Sequence, residues 1–341
     1  MVYLHIPQGQ PLTENSPNTL NGGSRARRIA IELQYLVLVG LCLGVLFGFL
    51  GRRSWYFDLF TSFTIVYFAA SVVLFLSLAL LRDKRGAAVA LALALFHGWL
   101  MLPYLSFGAT AGAAHDGAVR VMLANVLTVN RDFEAFSAEV RKQDPDILCV
   151  QEVDAAWQQV LEGLHETYPH QHFEARSDNF GIALLSRLPL ADVEIFELGG
   201  VTVPAISAKV ETGAGTLRLL TLHTLPPMMK YLAASRNRQL AEAAKFAQAG
   251  TGPFALVGDL NATPWSPHFQ DLLRVADLKE ARLGQGVMPT WPVDGWLPAL
   301  LPIDHILVSP GITVSQMVRG GDTGSDHLPV IADLRITAPG A

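Results

Sequence analysis

Cysteine is almost missing from this chain: Cys42 and Cys149 are the only two in 341 residues. No disulfide framework can be built from them. With Cys42 in an apolar run and Cys149 in a candidate buried strand, the two are not expected to pair. Charge is also scarce, at 16% of residues against about 25% in soluble domains. There is no excess of basic residues, the net charge being −5. An acidic surface does not attract a polyanion, which lowers the expectation of a long nucleic-acid duplex as partner. Internal repeats and glycine-rich phosphate loops are missing too, which sets aside repeat arrays and glycine-loop nucleotide binders.

Hydrophobic residues are plentiful, at half the chain, and they are concentrated before residue 110. Three apolar runs, 29–50, 56–81 and 86–107, each reach the roughly 20 residues needed to cross a bilayer. Glu32 and Asp58 lie near the edges of the first two, and the third is uncharged apart from a proton that His97 can take up. A cleaved signal peptide does not fit, because the first run is too long and two more follow. Residues 29–107 therefore read as a three-helix membrane anchor. Residues 1–28 read as a flexible tail and 108–117 as a short linker.

Basic residues set the orientation. Arg25, Arg27 and Arg28 precede the first run, and Arg82, Lys84 and Arg85 separate the second from the third. Only Arg52 and Arg53 lie between the first and second. The positive-inside rule then puts the N-terminus in the cytoplasm and everything after the third span outside it. The expected location is a bacterial inner membrane, with a periplasmic or extracytoplasmic globular part.

Eight of the 25 basic and four of the 30 acidic residues lie before residue 110, so the remainder of the chain is net −9. From residue 118 short apolar strands alternate with amphipathic helices. Strands are expected at 118–126, within 144–153, at 181–190, on either side of the Gly213–Gly215 turn, at 253–262, 303–309 and 330–336. Helices are expected at 131–143, 156–168 and 233–249. Without a strict βαβ rhythm, this order predicts a four-layer α/β sandwich over 118–337, two packed mixed sheets flanked by helices.

Polar residues suited to metal or phosphate recur at the ends of these strands: Asn125, Gln151 and Glu152, His223, Asp259 and Asn261, Asp304 and His305, Asp326 and His327. Strand ends on one rim are where such a fold builds a site. The segments LANV, LCVQEVD, LTLHTLPP, LVGDLNATPWS, PIDHILVS and GSDHLPVIADL, in this order, resemble the endonuclease/exonuclease/phosphatase superfamily, in its deoxyribonuclease I-like form. The N-terminal spans make the chain look like a membrane-anchored bacterial branch.

The resemblance implies a hydrolase acting on phosphate esters with Mg²⁺ or Mn²⁺. It implies Glu152 as primary metal ligand, Asn125 beside it, and Asp326 supporting the metal or its water shell. Asp259 would orient or deprotonate the attacking water, and Asn261 would hydrogen-bond a phosphoryl oxygen. His327, oriented by Asp304, would contact the scissile phosphate, with His223 as a second donor. The segment around 176–187 implies a further site residue, Asn179. The helix after His223 offers Arg238 among Arg236, Asn237 and Gln239. His305 is expected to pack away from the site.

Tethering to a bilayer, and an apolar stretch at 290–302 carrying Trp291, favour a lipid or lipid-linked phosphate ester as substrate. A membrane-tethered nuclease is the alternative. A catalytically inactive scaffold is the second alternative.

Overall fold

The computed structural model describes residues 20–105, 117–293 and 300–336. Residues 1–19 of the expected tail, 108–116 of the linker and 294–299 of the apolar loop lie outside the described residues. The first helix, α1 (Leu20–Phe49), starts inside the segment expected as a tail. Arg27 ties its early turns down by donating to the Leu81 carbonyl at 2.9 and 2.6 Å.

The second apolar run is not one regular helix. It opens with α2 (Trp55–Asp58), passes through a 3₁₀ stretch at Leu59–Phe63, and continues as α3 (Thr64–Leu80). The Thr61 and Thr64 hydroxyls donate to the carbonyls of Asp58 and Thr61, at 2.7 and 3.0 Å, and so support this tighter winding. The third run forms α4 (Lys84–Met101), whose first turn is capped by Asp83 accepting from the Gly86 N–H at 3.2 Å. Three stretches, Arg25–Phe49, Trp55–Leu80 and Lys84–Tyr104, are long and apolar enough to cross a membrane. Large apolar side chains such as Leu36, Leu80 and Leu95 face outward from them, as a lipid-facing surface requires.

The remaining elements in chain order are β1 (Val119–Asn125), α5 (Phe133–Gln143), β2 (Ile147–Gln151), α6 (Ala155–Glu162), β3 (His170–Glu174), β4 (Ile182–Ser186), β5 (Leu190–Glu197), β6 (Pro204–Thr212), β7 (Gly215–Leu222), α7 (Lys230–Ala249), β8 (Phe254–Asp259), α8 (Pro267–Ala276), β9 (Lys279–Glu280), β10 (Asp304–Val308), β11 (Ile312–Arg319) and β12 (Val330–Ile336). They build two six-stranded sheets, ordered β11-β12-β1-β2-β4-β3 and β5-β6-β7-β8-β10-β9. Each sheet is mixed: β1–β2 and β7–β8 are parallel pairs among antiparallel neighbours.

Three apolar clusters account for the layers. Val121, Leu123, Ile147, Ile206 and Val257 fill the space between the sheets. Phe136 and Trp157 of α5 and α6 cover the first sheet, and Leu240 and Phe269 of α7 and α8 cover the second. The expected four-layer sandwich is the observed fold. Because both faces of each sheet are covered, β2, β4 and β8 are buried at every position, which is why they read as unbroken apolar runs. The expected strand at 181–190 is two strands, β4 and the start of β5, broken before Leu190 at Pro189. Pro189 has no N–H to offer a ladder. Both cysteines are free.

Candidate active site

Register fixes which residues meet. Asn125 pairs with Gln151 across the parallel β1–β2 ladder, and Asp304 pairs with Asp259 across β10–β8. These four residues, one pair from each sheet, lie at the same rim, Asn125, Gln151 and Asp259 closing their strands and Asp304 opening its own. Gln151 joins the sheets there. Its Nε2 donates to the Leu222 carbonyl of β7 at 2.6 Å, and its Oε1 accepts the Asp259 N–H at 2.9 Å. Such an approach needs a residue without a side chain at 258. A Cβ on Gly258 would sit 1.9 Å from the Leu222 oxygen and 3.1 Å from Gln151 Nε2. The glycine of the GDLN segment is therefore a packing requirement, and it lets the strut reach its partner.

Glu152 follows β2 in a left-handed conformation (φ 64°), unusual for a residue with a side chain. The conformation is held by its surroundings. Asn125 Nδ2 donates to Glu152 Oε1 at 3.0 Å, the Thr128 N–H donates to Oε2 at 3.1 Å, and the Thr128 hydroxyl donates to the Glu152 carbonyl at 3.2 Å. Asn261 is the second such residue (φ 44°). Its N–H donates to Asp259 Oδ1 at 2.9 Å and its Nδ2 to the Thr224 carbonyl at 2.8 Å. Strained backbone tied down by side chains is a mark of a functional site.

The two histidines converge on Asp259. His223 Nε2 lies 3.4 Å and His327 Nε2 3.7 Å from Asp259 Oδ2, while His327 Nδ1 lies 2.9 Å from Asp304 Oδ2. The segment before β12 is set by Ser325, whose hydroxyl donates to the Asn125 carbonyl at 2.8 Å and accepts the His327 N–H at 3.1 Å. Burial alone pushes the His327 imidazole pKa down. The adjacent Asp304, with Asp259 and Asp326 beyond it, overrides that and raises the pKa to about 10. His223 is shifted the same way: burial opposes its proton, and the charge and hydrogen bond of Asp259 outweigh burial. Asp259 is itself held below the usual carboxylate range. Its burial is offset by His223, His327 and the Asn261 N–H. At neutral pH the cluster is thus a carboxylate beneath a protonated imidazole.

Among the described residues, the carboxylate and imidazole atoms of Asp259, Asp304 and His327 lie within 4.8 Å of one another. His327 Nδ1 in this trio is engaged by Asp304, so only its Nε2, which also lies near Asp259, is left to face a ligand. The opposite side of the site suits a hard cation better. Glu152 offers carboxylate oxygens there, oriented by Asn125 Nδ2, and Asp326, beside Trp291 and His327, has an Oδ1 buried without a hydrogen-bond partner. Four carboxylates against two imidazoles also leave an excess of negative charge that a divalent ion would neutralise.

Asn125, Glu152, His223, Asp259, Asn261, Asp304 and His327 are all brought together, each of them buried except the half-buried Asn261. Asp326 adjoins them, its Oδ2 accepting from Trp291 Nε1 at 2.9 Å, and the Trp291 ring centroid lies 6.3 Å from that of His327. Asn179 is exposed on the loop before β4, between Asp178, whose carbonyl accepts from the Thr128 hydroxyl at 3.4 Å, and Phe180, whose ring centroid lies 5.2 Å from that of His223. One expected residue is placed differently. Arg238 donates to the Gly199 carbonyl at 3.1 Å and to the Ser235 hydroxyl at 2.8 Å, away from the cluster. Its neighbour Arg236 is the one that reaches the site, donating through Nη1 to the Asn261 carbonyl at 2.8 Å. His305 packs away from the site as expected, yet it is fully buried and bonds the Ala262 carbonyl at 2.8 Å from below the loop.

Gln151, Thr128, Ser325 and Arg236 support the site without carrying a sequence signal as strong as the acidic strand ends. Two packed mixed sheets with a carboxylate–imidazole cluster on one rim are the architecture of the deoxyribonuclease I-like superfamily, whose members are typically phosphate-ester hydrolases. The family model described as Endonuclease/Exonuclease/phosphatase family matches residues 122–327, well over half of the chain, and the chain belongs to that family.

Solved structures agree on the fold. A Beutenbergia cavernae endonuclease/exonuclease/phosphatase matches at 21% identity and TM-score 0.55, covering 65% of this chain and 72% of its own. The human Nocturnin catalytic domain with bound sulfate matches at 22% and 0.52, covering 65% and 94%. D. rerio TDP2 complexed with a single-strand DNA product matches at 15% and 0.54, covering 64% and 100%. No curated protein sequence matches the chain.

Proposed function

We propose that this chain is a membrane-anchored phosphoesterase, dependent on Mg²⁺ or Mn²⁺, that hydrolyses a phosphodiester or phosphomonoester in a lipid or lipid-linked head group. Its site would face the outer side of a bacterial inner membrane. One observation carries the lipid reading. Buried Arg236 pairs with Asp58, from the second apolar stretch, and bonds the carbonyl of Asn261 in the site. A rim held this closely by a membrane-spanning helix works at the lipid surface.

In this reading Asp259 orients the attacking water and accepts its proton, a role open to it because it stays ionised at neutral pH. His327, kept protonated by Asp304, donates to the phosphoryl group and offsets charge that develops there. Asn261 Nδ2 and His223 give further donors of fixed direction. A divalent cation would be held by Glu152, with Asn125 and Asp326 beside it, and would supply charge neutralisation and polarisation of a phosphoryl oxygen. Trp291, which covers His327 and Asp326, would wall the head group, with Asn179 as a further contact from the loop before β4 and Arg238 as an outlying one.

The test is release of phosphate or head group from a panel of lipids, lipid-linked phosphates and DNA, using detergent-purified full-length protein with Mg²⁺ or Mn²⁺ and Glu152→Gln as control. Metal-dependent release from one lipid class, lost in the variant, supports the reading. Turnover of DNA alone makes the chain a tethered nuclease. Silence across the panel favours the inactive scaffold.

A further inference from the structure

Between the anchor and the outer helices of the second sheet lies a cavity of about 620 Å³, within the range of pockets that hold drug-sized ligands, about 300–1,000 Å³. Gly48, Phe60 and Leu100 wall it from the apolar stretches, and Trp265, Leu273 and Leu283 from the catalytic domain. It is not part of the hydrolytic cluster, but Pro264 and Trp265 in its wall directly continue the loop that begins at Asp259 and Asn261.

Most polar side chains of the wall have protein partners, while Tyr67 OH and Trp99 Nε1 have no hydrogen-bond partner among the described residues. Trp265 Nε1 donates to the Leu100 carbonyl at 3.2 Å, Tyr104 OH to Glu280 at 2.8 Å, Thr61 Oγ1 to the Asp58 carbonyl at 2.7 Å, and Gln270 Nε2 to the Pro264 carbonyl at 2.6 Å. A water in a cavity needs two to four polar partners, and the uncommitted groups of this wall are few beside its apolar residues Gly48, Phe60, Leu100, Leu273 and Leu283, a lining that suits hydrocarbon. The wall is built partly from helices that meet the requirements for crossing a membrane, so the acyl region of a bilayer adjoins it. One cation completes the picture: Lys279 belongs to the wall, is exposed, and has no ion partner among the described residues.

We infer that this cavity seats one acyl chain of a resident bilayer phospholipid, whose phosphate meets Lys279, beside the active site rather than in it. The inference rests on the three apolar stretches lying in a bilayer, and it does not depend on which ester the enzyme hydrolyses. Gly48 offers a clean way to close the space. A Cβ added there meets only the Thr61 methyl, at 3.6 Å, an ordinary contact, so a longer side chain extends toward the cavity without a backbone clash.

The experiment reconstitutes the full-length protein in vesicles of phosphatidylethanolamine and phosphatidylglycerol containing a trace of phospholipid with a photoactivatable group midway along one acyl chain. Cross-linked peptides are then mapped. Labelling is expected on the peptides holding Trp265, Leu273 and Leu283, in addition to the outward-facing Leu36, Leu76 and Leu95. In Gly48→Leu the inner labelling is lost while the outer persists, and in Lys279→Glu the phospholipid retained through detergent purification, read by native mass spectrometry, is lost. Outer labelling without inner labelling, or inner labelling that survives Gly48→Leu, overturns the inference. No labelling at either place overturns the bilayer reading along with it. Cleavage of the seated lipid on adding Mg²⁺ assigns the cavity to substrate and overturns the resident lipid.

Discussion

Asp58 and Arg236 are 178 residues apart in sequence and form one buried ion pair, with their side chains only 4% and 2% exposed. The pair is fully used. The Ser266 hydroxyl donates to the other Asp58 oxygen at 2.9 Å, and Arg236 continues to Asn237 and to the Asn261 carbonyl, at 2.8 Å each. A carboxylate from the second apolar stretch thus helps hold the left-handed backbone at Asn261. In the proposed mechanism both are positioning residues, acting through Asn261.

The pair predicts a separation of stability from activity. Removing one partner of a buried pair costs about 3–5 kcal/mol, because the other charge is left uncompensated, whereas replacing both with apolar residues is often neutral. Asp58→Ala should therefore lower the thermal midpoint in detergent sharply. The double variant Asp58→Leu/Arg236→Met should recover most of the midpoint and still show reduced kcat with little change in KM, since the bond to the Asn261 carbonyl is gone. A double variant with full kcat would show that Arg236 serves the fold alone.

The His327–Asp304 contact predicts a pH dependence. Because the folded-state pKa of about 10 lies above the unfolded value of about 6.5, the pair's contribution to stability is complete below about pH 6.5. It declines as pH rises and is lost as His327 deprotonates near pH 10. The alkaline limb of kcat/KM should follow the same group. Asp304→Asn removes the largest opposing influence and leaves burial dominant, so that limb should shift toward neutral pH. An unmoved limb would assign it to another group.

Glu152 and its supports predict metal dependence of graded severity. Glu152→Gln should abolish turnover at any accessible Mg²⁺ concentration. Asn125→Ala removes a neighbour that orients the carboxylate, and losses of this kind cost about 10–100-fold in metal affinity. Its activity should return at high Mg²⁺, seen as a displaced metal titration. If Asn125→Ala were insensitive to added metal, Asn125 would instead act on substrate.

These cases also show what a sequence carries and what it does not. Glu152, Asp259 and His327 were legible because each lies at the edge of an apolar strand, and the strand ends then met on one rim through the registers Asn125–Gln151 and Asp304–Asp259. Gln151 was visible as a strand end, but its role as a strut depends on the second sheet passing beside it, which no local pattern encodes. The choice between Arg236 and Arg238 fails for a related reason: residues two apart point to nearly opposite sides of a helix, and only packing reveals which side faces Asn261. Edge strands β3 and β5 carry half-exposed patterns that alternate too weakly to be read. The docking of Asp58 is invisible because its partner lies in another part of the chain.

Membrane orientation can be checked by a direct measurement, and the structure sharpens what to expect. Arg52 and Arg53 were the only basic residues arguing for a cytoplasmic loop between the first and second stretches. Arg52 is paired with Asp271 of α8, which partly neutralises it and puts that loop on the catalytic domain's side. The positive-inside comparison then sets Arg53 and a paired Arg52 against six arginines and lysines near the other ends. A cysteine at Lys84 should be shielded from a membrane-impermeant maleimide in intact spheroplasts, and one at the exposed Glu166 should react. The background is low because Cys149 is buried and Cys42 lies within α1. The reverse pattern would put the catalytic domain in the cytoplasm and direct the search for substrate to the inner leaflet.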